Sequence, residues 1–268
     1  MGIDLSRASA HLCRRVMDAS LRTEPFEHLV VENVLPSDIF EAIMSGFPDE
    51  YPCDVNCKPR SWIAPAGMVL GADSMEGGVS GRGNNAALLY WRSHAVERER
   101  MLSLFASIEF RGRFVNTLLT RFERQLNEAL AQFKTRFANQ VTVSGGSRLT
   151  LDSASYELMP HTDRPNKLAS LVVYLRATSG ADLGTTLYRP KIPTFTCAGE
   201  LYHPFSHFVP ITRVPFQPNS AFFFIPTDAS FHGVRFKSTD AKFSRLTLQT
   251  NIWMTNPGDA PLVWREGI

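Results

Sequence analysis

No block of like charge marks this sequence: 28 lysines and arginines stand against 26 acids, a formal net charge of +2. A partner selected by electrostatics would need a basic patch, so neither nucleic acid nor an anionic membrane surface is expected. No apolar run approaches the ~20 residues that a membrane-spanning helix needs. Met1 to Ser6 lack the basic-then-apolar order of a secretory leader, and cytoplasmic residence is the expectation. Gly2 with Ser6 superficially fits a myristoylation pattern, a match short enough to arise by chance. Cysteine is scarce: Cys13, Cys53, Cys57 and Cys197 are scattered and outline no disulfide framework. Cys53 and Cys57 have a spacing that could begin a zinc site, but no second ligand pair follows, so free thiols are expected. Internal repeats and low-complexity tracts are also missing. What remains is 44% hydrophobic and 20% charged over 268 residues, the composition of an ordinary globular protein of one domain.

Periodicity divides the chain. Leu5, Ala8, Leu12, Val16, Ala19 and Leu21 recur at near-helical intervals and predict an amphipathic helix over 5–22. An apolar, β-branched strand is expected over 26–34, and Pro36-Ser37-Asp38 opens a second helix that ends near Phe47. Residues 48–92 are crowded with glycine, proline, serine and asparagine, which reads as a long irregular loop, either a lid or a plain surface segment, with Trp62, Tyr90 and Trp91 near its ends. Helices are expected over about 96–108 and 114–137, the second with Leu118, Phe122, Leu126, Leu130 and Phe133 on one stripe. From Arg148 the period shifts towards two. Strands are expected through Leu149–Leu158, Leu168–Leu175, Phe208–Phe216, Ala221–Ile225, Phe231–Phe236 and Arg245–Met254, with a turn at 180–186 and an insertion at 190–207. This is mainly β structure with flanking helices. Strands of this number and spacing fit a double-stranded β-helix, the jelly-roll or cupin-like core. One domain, 1–268, is expected: a mainly helical part with the glycine-rich loop over 1–147, the jelly roll over 148–254 and a tail over 255–268.

The chemistry is concentrated in His161-Thr162-Asp163 and the distant His232. On a strand or at its end, residues i and i+2 point to one side, so His161 and Asp163 can reach one metal ion while Thr162 faces away. Two imidazoles and a carboxylate on one triangular face leave three positions open, the arrangement of non-haem Fe(II) oxygenases. A lone His-x-Asp is common without any metal, and three neighbours strengthen this one. Arg245 follows His232 by thirteen residues, with Thr247 on the same strand face. The apolar strand Leu168–Leu175 follows Asp163 closely, and Ser220–Pro226 runs as a strand into a turn just before His232.

In that order, these features resemble the 2-oxoglutarate/Fe(II)-dependent dioxygenase superfamily, above all its prolyl-4-hydroxylase-like branch, over roughly residues 148–254. The entry segment Phe26–Pro36 with the helix after it is similar to that of many bacterial members, and Gly180–Thr186 stands where the branch has a Gly-Gly-x-Thr stretch. The resemblance implies Fe(II) held by His161, Asp163 and His232, 2-oxoglutarate as cosubstrate, O2 as oxidant, and ascorbate as a stimulant in vitro. It also implies that Arg245 pairs with the distal carboxylate of 2-oxoglutarate, with Thr247 and Tyr174 as further donors. Tyr174 reads equally as a core aromatic. Tyr156, Arg164 and Asn251 are candidate substrate contacts, Gln249 shares the Asn251 alternation, and His203 and His207 need no special role. Asp163 fills the place that superfamily halogenases leave for chloride, so hydroxylation of an unactivated C–H is the expected outcome, with desaturation, ring closure and epoxidation using the same ligands.

With balanced charge and no accompanying recognition domain, the expected partner is a small metabolite such as an amino acid, sugar or natural-product intermediate. A peptidyl or protein hydroxylase would need an extended groove, for which residues 48–92 are the candidate. A cupin-like protein that holds metal without turnover is the remaining class, and Arg245 with Thr247 argues against it. The sequence leaves the oligomeric state open.

Overall fold

The computed structural model describes residues 4–47, 60–63, 74–75, 79–80, 96, 113, 116–118, 120–137, 142–153, 156–177, 183–197, 199, 201–236 and 244–255. Helix α1 (Leu5–Asp18) begins where the Asp4 side chain accepts a hydrogen bond from the Arg7 amide, and it buries Ala8, Leu12 and Val16. It stops short of the expected residue 22. Ala19 is extended, and Arg22 exchanges backbone hydrogen bonds of 2.9 and 2.8 Å with His28, which turns the chain back into strand β1 (His28–Glu32). Helix α2 (Ser37–Met44) buries Ile39 and Ile43, and α3 (Glu123–Phe137) lies within the expected 114–137 helix. The expected 96–108 helix after Val96 and most of 48–92 lie outside the described residues, as does the 255–268 tail beyond Thr255.

The remaining strands are β2 (Arg60–Ile63), β3 (Ser74–Met75), β4 (Val79–Ser80), β5 (Thr142–Ser153), β6 (Tyr156–His161), β7 (Lys167–Ala177), β8 (Thr186–Pro190), β9 (Phe208–Arg213), β10 (Ser220–Phe224), β11 (His232–Phe236) and β12 (Ser244–Thr255). They form an eight-stranded sheet, β1-β10-β7-β12-β5-β2-β4-β3, and a four-stranded sheet, β6-β11-β8-β9. From β5 to β12 the chain passes back and forth between the two sheets, except that β8 and β9 pair with each other within the small sheet, and all pairings are antiparallel. That alternation defines the double-stranded β-helix, or jelly roll.

Two expectations change. The segment read as irregular over 48–92 contributes strands: β2 pairs with β5, Trp62 opposite Thr150, and so lengthens the large sheet. The strand expected from Arg148 begins at Thr142, because Gly145 and Gly146 continue the ladder opposite Ile252 and Asn251 instead of breaking it. The boundary placed at 147/148 therefore falls inside β5.

Each long strand has two buried faces of different character. Leu171, Val173 and Leu175 of β7, with Leu246, Leu248 and Ile252 of β12, pack against Leu12, Val16, Ile43, Phe122 and Leu126 of the helical layer. Each fully buried aliphatic side chain there contributes about 1.5–3 kcal/mol. The opposite face, turned into the barrel, carries Tyr174, Phe222 and Phe224 packed with Leu187 and Val214. The small sheet has a different cover. Its outer side is closed by the loop over 191–207, through a cluster of Tyr188, Phe195, Phe205, Phe208 and Phe231.

Candidate metal centre

Strand pairing brings the distant ligands together. His161, the last residue of β6, stands directly opposite His232, the first of β11, and their ring centroids are 4.4 Å apart. The register slips between His232 and Val234, so Leu158 faces Val234 across a bulge that aims both imidazoles to one side. Gly233 makes this approach possible: a Cβ there would lie 2.5 Å from the Leu158 carbonyl oxygen. Asp163 follows two residues after His161, and one ligand atom from each of the three residues lies within 4.8 Å of the others.

Both rings are fixed in the tautomer a metal requires. His161 Nδ1–H donates to the Met159 carbonyl at 2.9 Å, and His232 Nδ1–H donates to the Ser230 carbonyl at 3.0 Å, leaving each Nε2 lone pair turned to the common point. Burial pushes the His161 imidazolium down to about 3, helped by the neighbouring His232. Burial likewise lowers His232. Burial would raise the Asp163 carboxyl, but the Lys167 ammonium and the two imidazoles outweigh it and hold the group well below the usual carboxylate range. Neutral imidazoles and an ionised carboxylate are the protonation states that coordinate a divalent ion.

The loop over 191–207 braces this ligand strand. Thr162 turns away from the centre and donates to the Cys197 carbonyl at 2.8 Å, and the His203 amide donates to the Pro160 carbonyl at 2.9 Å. Gly199, at φ +91°, lies so close that a Cβ would meet the Asp163 carbonyl oxygen at 2.5 Å. The same loop places the Tyr202 ring 5.2 Å from the His161 ring, with 55% of Tyr202 exposed, so an aromatic surface borders the centre from the solvent side.

Arg245, Thr247 and Tyr174 meet inside the barrel, all buried. The Arg245 guanidinium lies 5.8 Å from the Tyr174 ring centre and 5.4 Å from that of Phe216. Its Nη1 donates to Asp152 Oδ2 at 2.6 Å and its Nε to the Leu183 carbonyl at 2.8 Å. Tyr174 gives its hydroxyl proton to Thr185 Oγ1 at 2.8 Å. The Thr247 and Thr150 hydroxyls, opposite one another across β12 and β5, are buried without a hydrogen-bond partner among the described residues. A carboxylate ligand beside the Arg245 guanidinium would satisfy both these orphaned hydroxyls.

Of the other candidates, Asn251 is buried near the metal end, where its Oδ1 lies 3.5 Å from Ser170 Oγ. Arg164 is half-buried beside Asp163, and its carbonyl accepts from the Lys167 amide. Tyr156 stands opposite Phe236 in the β6–β11 ladder. Sequence reasoning missed Lys167, Ser170 and Asp152. The Asp-x3-Lys spacing was a usable sign for the first; the other two depend on strand register. Cys13 and Cys197 carry free thiols, and Cys53 and Cys57 lie outside the described residues. Among the described residues no helix is long and apolar enough to cross a membrane.

No family model matches the chain, and no curated protein matches it. Among solved structures it is similar to a 2OG-Fe(II) oxygenase family oxidoreductase from Burkholderia pseudomallei, with 12% sequence identity, a TM-score of 0.41 and coverage of 94% of this chain and 92% of that one. It is also similar to a Pseudomonas putida prolyl-4-hydroxylase, with 13% identity, a TM-score of 0.39 and coverage of 92% and 98%. A third is SnoN, a non-haem alpha-ketoglutarate-dependent epimerase of nogalamycin biosynthesis, with 12% identity, a TM-score of 0.42 and coverage of 97% and 91%.

Proposed function

We propose that this protein is an Fe(II)- and 2-oxoglutarate-dependent oxygenase that hydroxylates an unactivated C–H bond of a small metabolite. The observation that carries the proposal is the convergence of His161, Asp163 and His232 within 4.8 Å, both imidazoles pinned through Nδ1. Two neutral nitrogens and one carboxylate suit ferrous iron, which keeps three positions free for other ligands. The bound group supplies oxidative decarboxylation of 2-oxoglutarate to succinate and CO2, with transfer of one oxygen atom from O2 to the substrate; ascorbate keeps the iron ferrous in vitro.

The chain's own residues bind and orient. Arg245 offers its guanidinium to the distal carboxylate of 2-oxoglutarate, and the Thr247 hydroxyl adds a neutral donor. Tyr174, whose hydroxyl donates to Thr185, lines the same space with its ring centre 5.8 Å from the guanidinium. Ser170 and Asn251 shape the barrel beside Asp163, and Tyr202, with Arg164, borders the solvent side where substrate arrives. Because Asp163 supplies the carboxylate ligand, hydroxylation is favoured over halogenation. The substrate class we favour is an amino acid, a sugar or a natural-product intermediate, handled in the cytoplasm.

The test is succinate release from 2-oxoglutarate with Fe(II) and ascorbate, followed by mass spectrometry of candidate metabolites for a gain of one oxygen atom. Asp163→Ala is expected to lose metal affinity and turnover together. A variant that keeps wild-type Fe(II) affinity removes Asp163 from the centre and with it this reading.

A further inference from the structure

Both oxygens of the Asp163 carboxylate are engaged by protein. Lys167 Nζ donates to Oδ1 at 2.6 Å, and Ser170 Oγ donates to Oδ2 at 2.7 Å. The Asp163 and Lys167 side chains are only 12% and 11% exposed, and the ammonium lies 5.1 Å from the centre of the Trp253 ring. These two partners differ in what a metal would do to them. Ser170 is neutral, so its bond to one oxygen is compatible with coordination by the other. Lys167 is a cation on the oxygen it shares, and a divalent ion drawn to the same carboxylate meets a like charge at close range, little weakened by solvent.

A carboxylate this far from water needs a positive partner at all times. Lys167 is such a partner, held at the start of β7 by its backbone amide bond to the Arg164 carbonyl, on a side chain long enough to withdraw. We propose that Lys167 is an internal counter-cation of the metal centre: it keeps Asp163 aimed at His161 and His232 before metal arrives, and it competes with the metal, setting the affinity below what the three ligands alone would give. This inference rests on reading His161, Asp163 and His232 as a metal centre. The lysine side chain gives way to the ion, and no covalent step is involved.

The experiment is a titration of the whole protein with Co(II), read by its visible absorption, together with thermal melts of the metal-free and Co(II)-loaded forms. Lys167→Met is expected to bind Co(II) at least tenfold more tightly than wild type. Its metal-free form should melt at a lower temperature, so that Co(II) raises the midpoint by more than in wild type. Lys167→Arg, which keeps the charge, should bind within a few-fold of wild type. Lys167→Gln gives the neutral comparison if the methionine variant does not fold. Wild-type or weaker Co(II) affinity in the neutral variant, with wild type itself binding Co(II), overturns the counter-cation role and leaves the metal centre standing. No Co(II) binding by wild type overturns both.

Discussion

The two sheets of the barrel divide the work unequally. The large sheet is built on long strands, 12, 11 and 12 residues in β5, β7 and β12, with helices against its outer face. The strands of the small sheet have only five or six residues, and an aromatic-lined loop covers it. Long, doubly buried strands suit a deep, dry pocket, so the large sheet carries the Arg245–Asp152 pair and the orphaned threonine hydroxyls. Short strands that end at a bulge suit a place where side chains must turn towards solvent, so the small sheet carries both histidine ligands. The buried Arg245–Asp152 pair thus belongs to the rigid half, and the two histidines to the half whose short ladder sets their rings side by side.

The largest expected effect tests the rigid half. Arg245→Leu leaves Asp152, itself fully buried, without its 2.6 Å partner. Removing one member of a buried pair costs about 3–5 kcal/mol. Chemical denaturation should show that loss, and Arg245→Leu with Asp152→Leu should recover much of it, since replacing both charges with apolar groups is often neutral. Affinity for 2-oxoglutarate should fall roughly thirty-fold or more in the single variant, at ~1.4 kcal/mol per tenfold. Arg245→Lys should restore part of it, because it keeps the charge but not the planar fork. A single variant as stable as wild type would mean that the other contacts of Asp152 suffice and that the pair is not what stiffens the sheet.

The same contrast explains what could be read from sequence. The large sheet was legible because a strand between a helical layer and a barrel interior advertises two faces: Ser170, Val172 and Tyr174 against Leu171, Val173 and Leu175. The ligands were legible because His-x-Asp carries its own geometry. Asp152 was not, since only the β5–β12 register sets it opposite Arg245. β8 escaped notice for a related reason: Thr186–Pro190 is short, ends in proline and is recognisable mainly through its partners β9 and β11. Composition misled over Arg60–Ile63, where a glycine-rich neighbourhood hid residues that pair with an existing edge. Nor did the sequence reveal the function of the 191–207 loop, because proline and aromatic residues mark an insertion without saying which strand it braces.

A medium effect comes from pH and falls mainly on the small sheet. His161 and His232 of the centre, and His28 on the large sheet's edge strand, are all held by burial below their ordinary value of 6.5. The unfolded chain takes up protons near pH 6.5 that the folded protein refuses, so stability of the metal-free protein falls on acidification. For His161 this window runs from about 6.5 down to about 3. The slope is about 1.4 kcal/mol per pH unit for each such histidine. Asp163 acts in the same direction but at lower pH: its lowered value supports the fold above the ordinary 3.8, and that support is lost as the pH falls below it. Denaturation midpoints of wild type and His161→Gln between pH 6 and 4 should differ in slope by one histidine's worth. Equal slopes would show that His161 takes its proton in the folded state.

The smallest effect decides whether the small sheet is organised by its own ladder or by its cover. Thr162 lies between two ligands, points away from them, and bonds the Cys197 carbonyl at 2.8 Å. Valine has the same shape and lacks the donor, so Thr162→Val removes this tie without opening a cavity. A buried hydrogen bond of this kind contributes about 1 kcal/mol, and denaturation should show a loss of that order. Metal affinity should change less than roughly threefold, because the ligands are set by the direct His161–His232 pairing and by their Nδ1 bonds to Met159 and Ser230, none of which involves the loop. Contacts that orient metal ligands typically cost 10–100-fold in affinity when removed. A fall of that size in Thr162→Val would move control of the centre from the β6–β11 ladder to the loop, and would make Cys197, Gly199 and Tyr202 part of one adjustable wall around the metal.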